Sequence, residues 1–187
     1  MKSVFIFIFI FIFISLVSPF VSAKSFEYGP KADPSVGFLS VVEKAKINNK
    51  LILVVFGSDW CPDCRSLNKK MSEEPLLKTI NSNYEVLHID IGNWDKNMEF
   101  TKKFGNPVGS GIPSIAVLDS KKNIYYVSEA GEFASARSSS INDLNKWFSS
   151  LAVKVNKIIV DAKPKETTNS KQAAKRKATN KALKSDS

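Results

Sequence analysis

The sequence predicts an α/β fold: a central mixed β-sheet flanked by helices, closed by a C-terminal helix and followed by a disordered basic tail. Three observations carry this. The apolar run "LILVVF" (51–56) reads as a strand buried on both faces. Helical and strand patterns alternate in the order helix, strand, helix, strand, helix, hairpin, helix, which implies parallel pairs with crossovers and one antiparallel edge. The only two cysteines, Cys61 and Cys64, lie in "SDWCPDCR" (58–65), where the first strand hands over to a helix.

The elements follow in order. Residues 24–32 read as a loose lead-in or short edge strand. Asp33-Pro34 looks like an N-cap followed by proline in the first helical turn. Phe38, Val41, Val42 and Ala45 then recur at helical spacing, and Asn48-Asn49 ends the helix. After the "LILVVF" strand, Gly57-Ser58-Asp59 turns the chain. From Cys61 a helix is expected with Leu67 and Met71 on one face, interrupted at Pro75, with Leu76, Leu77 and Ile80 continuing the apolar side. "YEVLHID" (84–90) reads as a second inner strand. Asp95 is expected to cap a helix through Phe104, with Met98 facing inward. "SIAVLD" (114–119) and "IYYVSE" (124–129) make a hairpin. Ser140 caps a long helix whose stripe is Leu144, Trp147, Phe148, Leu151, Val155, Ile158 and Ile159.

The N-terminus sets the expected compartment. Lys2, an unbroken apolar run from Val4 to Ile14, a breaker at Pro19 and the small-residue site Val21-Ser22-Ala23 make the layout of a secretory signal peptide over residues 1–23. The alternative is an uncleaved membrane anchor, but the run is short of the roughly 20 residues a spanning helix needs. The expectation is therefore a secreted, periplasmic protein with a globular domain over 24–162 and a tail over 163–187. In an oxidising compartment a disulfide persists. A bridge between cysteines three apart staples little chain, so a structural disulfide explains the pair poorly.

Charge is uneven. The chain has 27 basic and 18 acidic residues. The tail "KPKETTNSKQAAKRKATNKALKSDS" alone carries 8 basic and 2 acidic, so the basic character belongs to it and not to the folded body. Without aromatics or apolar periodicity it reads as solvated and disordered. It could touch anionic surfaces weakly. No aromatic residue interleaves its cations, which argues against specific nucleic-acid binding.

A helix N-terminus has unpaired N–H groups and partial positive charge, which stabilise a thiolate. Cys61, at the helix start, is expected to be exposed and nucleophilic. Cys64, one turn in, is expected to be buried and to resolve a mixed disulfide. Pro62 suits the first helical turn. Asp63 brings a negative charge that should oppose thiolate formation. A zinc site would need four ligands, and His88 is the sole histidine, so no metal site is expected. A Ser-His-Asp reading on His88 and Asp90 lacks a glycine-framed nucleophile. "GSGIPS" precedes a strand and is no phosphate loop.

"WCPDC" after "LILVVFGSD", with "GIPS" some fifty residues on, resembles the thioredoxin superfamily over roughly residues 34–153. The resemblance implies a redox-active Cys61–Cys64 disulfide needing no dissociable cofactor. It also implies that Trp60 lies beside the active-site loop, that Pro113 is cis and faces the disulfide, and that the Ile112 backbone pairs with a bound client. Partners would be client proteins with thiols or disulfides and a dithiol electron donor or acceptor protein. The chain departs from the family pattern where a buried acid and a lysine are usual: Val55 and Val86 stand there. The dipeptide Pro62-Asp63 also replaces Gly-Pro, and that dipeptide tunes potentials that span about −270 to −120 mV in the family. Ile before the proline resembles reductants more than strong oxidases. The alternatives are a Cu(I)-binding or thiol-client chaperone using the same cysteines without turnover, and a surface-binding protein driven by its tail. "GEFASAR" (131–137) resembles a stretch of exported bacterial thioredoxin-like proteins, and the sequence gives it no mechanism.

Overall fold

The computed structural model describes Tyr28 and residues 33–129 and 131–162. The expected signal peptide and basic tail lie outside the described residues, as does the lead-in apart from Tyr28. The elements are α1 (Pro34–Asn48), β1 (Leu51–Gly57), α2 (Pro62–Met71), α3 (Leu76–Asn83), β2 (Tyr84–Asp90) and α4 (Met98–Lys102). A 3-10 turn (Pro107–Ser110), β3 (Ser114–Leu118), β4 (Ile124–Val127) and α5 (Ile141–Asp161) complete them. The sheet order is β2-β1-β3-β4, with β1 parallel to β2 and antiparallel to β3, and β3 antiparallel to β4. The expected mixed sheet between helices is therefore the fold.

All seven residues of β1 are buried, as a central strand covered on both faces requires. Alternation along β2 shows which helices lie on which face. Leu87 meets Gly37 of α1, and Glu85 takes Asn48 at 2.8 Å and Lys50 at 3.0 Å. On the opposite face, the Tyr84 hydroxyl donates to Phe148 O of α5 at 2.7 Å, and His88 meets Asn68 of α2, also at 2.7 Å. Helices thus cover both faces. The α1 side is packed by edge-on and tilted rings of Phe38, Phe56, Phe100 and Phe104. The other side holds Phe133, Trp147 and Phe148.

The helix ends match their sequence signals. Asp33 accepts from Ser35 N at 2.8 Å, and Pro34 opens α1. Asn49, in the left-handed conformation at φ 53°, closes it by donating to Ala45 O. Ser140 accepts from Asp143 N at 3.1 Å to start α5. The chain leaves the helix at Met71 and re-enters one only after Pro75.

Four expectations are corrected. β2 is an edge strand among the described residues, because β3 takes the far side of β1 and nothing described pairs beyond β2. Asp95 does not cap α4. Its carboxylate instead closes a turn by accepting from Asn93 N at 2.8 Å, and the helix begins three residues later, after Asn97 in the left-handed conformation. Ile158 is exposed, since the buried stripe of α5 runs through Leu144, Phe148, Ala152 and Val155 at i, i+4 and i, i+3 spacing. Tyr28, in the stretch expected to be a loose lead-in or a short edge strand, is fully buried over Gly57, and its N–H donates to Asp59 at 2.8 Å. A side chain at Gly57 would collide with the Tyr28 ring.

Candidate active site

β1 ends at Gly57 and delivers the chain to the start of α2. The link is pinned to the turn after β2. The Ser58 hydroxyl donates to Gly92 O at 2.6 Å and lies 3.1 Å from Asp90 Oδ1, and the Trp60 indole N–H donates to the same carbonyl at 2.7 Å. Asp90 organises that turn through Lys96 and Gly92 N, each at 2.9 Å. Burial raises its pKa, but Lys96, the Gly92 N–H and the Ser58 hydroxyl outweigh this and hold the carboxyl below its usual range. Asp59 faces the other way, toward Tyr28, and Arg65 reaches back to its carbonyl.

Cys61 is the N-cap of α2. Its sulfur accepts from Cys64 N at 3.1 Å, the contact a helix N-terminus offers to a thiolate. Cys61 and Cys64 form a disulfide with their Cα atoms 5.2 Å apart. Pro62 takes the first helical position, where its missing N–H costs no hydrogen bond. The Ile112–Pro113 peptide is cis, as is Glu74–Pro75. Ile112 O lies 3.6 Å from Cys61 Sγ, so the loop before β3 does face the disulfide. Cys61, Cys64, Ile112 and Pro113 are thus brought together, all buried.

Two expectations about the pair change. Cys61 is not exposed: it is 4% accessible, against 0% for Cys64. The sulfur lies against the Ile112 carbonyl, 3.6 Å away, and the loop before β3 helps to cover it. Asp63 is not a bare charge beside the thiol. It is buried, and its Oδ1 accepts from Arg137 N at 2.9 Å while both oxygens sit 3.2 Å from Arg137 Nε. Lys70, two turns further along α2, donates to Ala136 O, Arg137 O and Ser139 O at 2.7, 3.0 and 2.6 Å. "GEFASAR" is therefore a strap fastened to the helix that carries the cysteines. Arg137 and Lys70 were missed as site residues, because nothing local marks a contact spanning 66 to 74 residues.

Trp60 is half exposed, and so is Trp94, with ring centroids 6.5 Å apart. Trp94 takes φ 66°, a conformation uncommon for an aromatic residue. His88 is the cross-strand neighbour of Val55 and packs edge-on against Tyr28. Burial pushes its imidazole down to about 4, so it is neutral at physiological pH. Among the described residues no three His, Cys, Asp or Glu side chains are grouped to hold a metal ion.

A family model described as "Thioredoxin-like" matches residues 39–120. A disulphide isomerase from Xylella fastidiosa Temecula1 is 32% identical, with a TM-score of 0.66, covering 69% of this chain and 98% of that one. A thioredoxin from Thermus thermophilus is 16% identical at a TM-score of 0.48, covering 70% of this chain and 90% of that one. The C-terminal domain of Neisseria meningitidis DsbD in its reduced form is 14% identical at a TM-score of 0.48, covering 64% and 96%. No curated protein matches. With a C-x-x-C disulfide capping the helix after its central strand, and with the Xylella protein matched over nearly its whole length, this chain belongs to the thioredoxin-like family.

Proposed function

We propose that the protein is an exported thiol–disulfide oxidoreductase that acts on protein disulfides, working chiefly as a reductant in the periplasm. The observation that carries this reading is the Cys61–Cys64 disulfide at the α2 N-terminus, with Cys61 Sγ taking the Cys64 N–H and facing Ile112 O. The leader at residues 1–23 supports export.

In the reduced state the Cys61 thiolate attacks one sulfur of a client disulfide. A mixed disulfide forms between Cys61 and the client, and the client's other sulfur leaves as a thiolate. The Cys64 thiolate then attacks Cys61 Sγ, forming the intramolecular disulfide and releasing the second client thiolate. Two electrons pass from the protein dithiol to the client, and the two protons given up by the protein thiols end on the client thiols. A dithiol protein restores the reduced state. No dissociable cofactor enters any step. The Xylella relative is described as a disulphide isomerase; isomerisation shares the first attack and differs in which thiol resolves the mixed disulfide.

Insulin reduction driven by dithiothreitol tests the reading. Wild type is expected to accelerate precipitation of the insulin chains, and Cys61→Ser to fall to the uncatalysed rate. Equal rates for the two proteins would sink it. Equal rates together with a stoichiometric Cu(I) complex that is lost in Cys64→Ser would favour metal binding instead.

A further inference from the structure

We propose that Arg137 tunes the redox pair: by compensating Asp63 within the C-x-x-C turn, it stabilises the Cys61 thiolate and raises the reduction potential of the couple. This rests on reading Cys61 as the attacking thiol.

Asp63 is the second residue of α2, so its carboxylate and the Cys61 sulfur share one helix N-terminus. Both draw on the same partial positive charge. A lone carboxylate there would disfavour a second anion beside it. Asp63 is also 8% accessible, so water screens it poorly. The structure supplies the counter-charge from far away in sequence. Arg137 gives Asp63 its backbone N–H and its Nε, and Lys70 of α2 grips the Ala136 and Arg137 carbonyls of the same strap and the Ser139 carbonyl just beyond it. Ala136 is fully buried and Phe133 packs on Trp147 and Phe148, which fixes where the strap lies. The guanidinium is therefore presented from a fixed segment and is not a loose surface cation. The other charged groups around the turn have their own contacts. Asp59 accepts from Tyr28 N, Arg65 donates to the Asp59 carbonyl, and Asp90 pairs with Lys96. On the β2 side His88 is neutral.

The Arg137 side chain is 62% accessible, so its effect is moderated by solvent. Arg137→Gln is expected to slow alkylation of Cys61 by iodoacetamide at pH 7 roughly threefold in the reduced full chain, the thiolate fraction falling by that factor. The potential should become more negative, since a less stable thiolate disfavours the reduced form. Arg137→Lys should restore part of the rate. Asp63→Asn should alkylate faster than wild type, and adding Arg137→Gln to it should change little further, because the half-exposed guanidinium then has no carboxylate to hold it.

Wild-type alkylation rate and potential in Arg137→Gln would overturn the proposal. So would an equal slowing by Arg137→Gln in the Asp63→Asn background. Should Arg137→Gln fail to fold, the Asp63→Asn protein decides alone: alkylation no faster than wild type overturns the proposal. These readouts interrogate the thiol itself, so a wild type inactive on insulin would defeat the enzyme reading while leaving this result intact.

Discussion

Cys64→Ser is expected to convert the protein into a trap that reacts with a client disulfide once and stays bound. Cys61 keeps its place as the α2 N-cap and still receives the backbone N–H of residue 64, so the first attack survives. The resolving sulfur is gone, and the mixed disulfide persists. Turnover should fall by on the order of 10³-fold or more, as it does when one member of a catalytic unit is removed. Non-reducing electrophoresis after incubation with an oxidised client should show a band at the summed mass that disappears with dithiothreitol. Mass spectrometry should place the link on Cys61. A link formed equally well in Cys61→Ser would assign the attack to the wrong sulfur.

Phe148→Ala carries the largest expected effect on stability. Phe148 is fully buried, stacks on Phe133 at a 5.9 Å centroid separation and meets the ring of Tyr84 at 6.2 Å. Removing a buried phenyl ring from a packed site costs about 3–5 kcal/mol through lost transfer energy and the cavity left behind. For a chain of this size that lowers Tm by roughly 10 °C. The hydrogen bond from the Tyr84 hydroxyl to the backbone carbonyl of Phe148 does not depend on the Phe148 ring, so α5 should remain docked on β2. Phe133 lies within the strap that ends in Arg137, however, so losing its stacking partner should also loosen Arg137 against Asp63. Thermal unfolding by circular dichroism checks the first effect. A shift of only a degree or two would mean that the pocket collapses around the missing ring.

Local chemistry made much of the fold legible. The unbroken apolar run of β1, the Asp33-Pro34 and Ser140 caps, and the break at Pro75 each act over a few residues, and each is where the sequence puts it. The cysteine pair was legible for the same reason, since strand, turn and helix start follow one another within "LILVVFGSDWCPDC". What escaped depends on distant parts of the chain. That β2 lies at an edge follows from where β3 pairs. The burial of Cys61 escaped for this reason, although the Ile112–Pro113 loop that lies against it, 51 residues away, was expected to face the disulfide. The partner of Asp63 comes 74 residues later, so a carboxylate that looks unfavourable beside the thiol in sequence is compensated in the fold. Tyr28 shows the same limit. Nothing in its own stretch marks it as core, yet its ring fills the space that Gly57 leaves open.

The reduction potential of the Cys61–Cys64 couple tests the central claim most directly. It can be measured by equilibrating the protein in glutathione buffers and following the fluorescence of Trp60, beside the disulfide. A redox-active pair of this family is expected between about −270 and −120 mV, and a working reductant toward the lower end. A value below about −300 mV, the range of structural disulfides, would mean that the bridge does not open in use and would contradict the account.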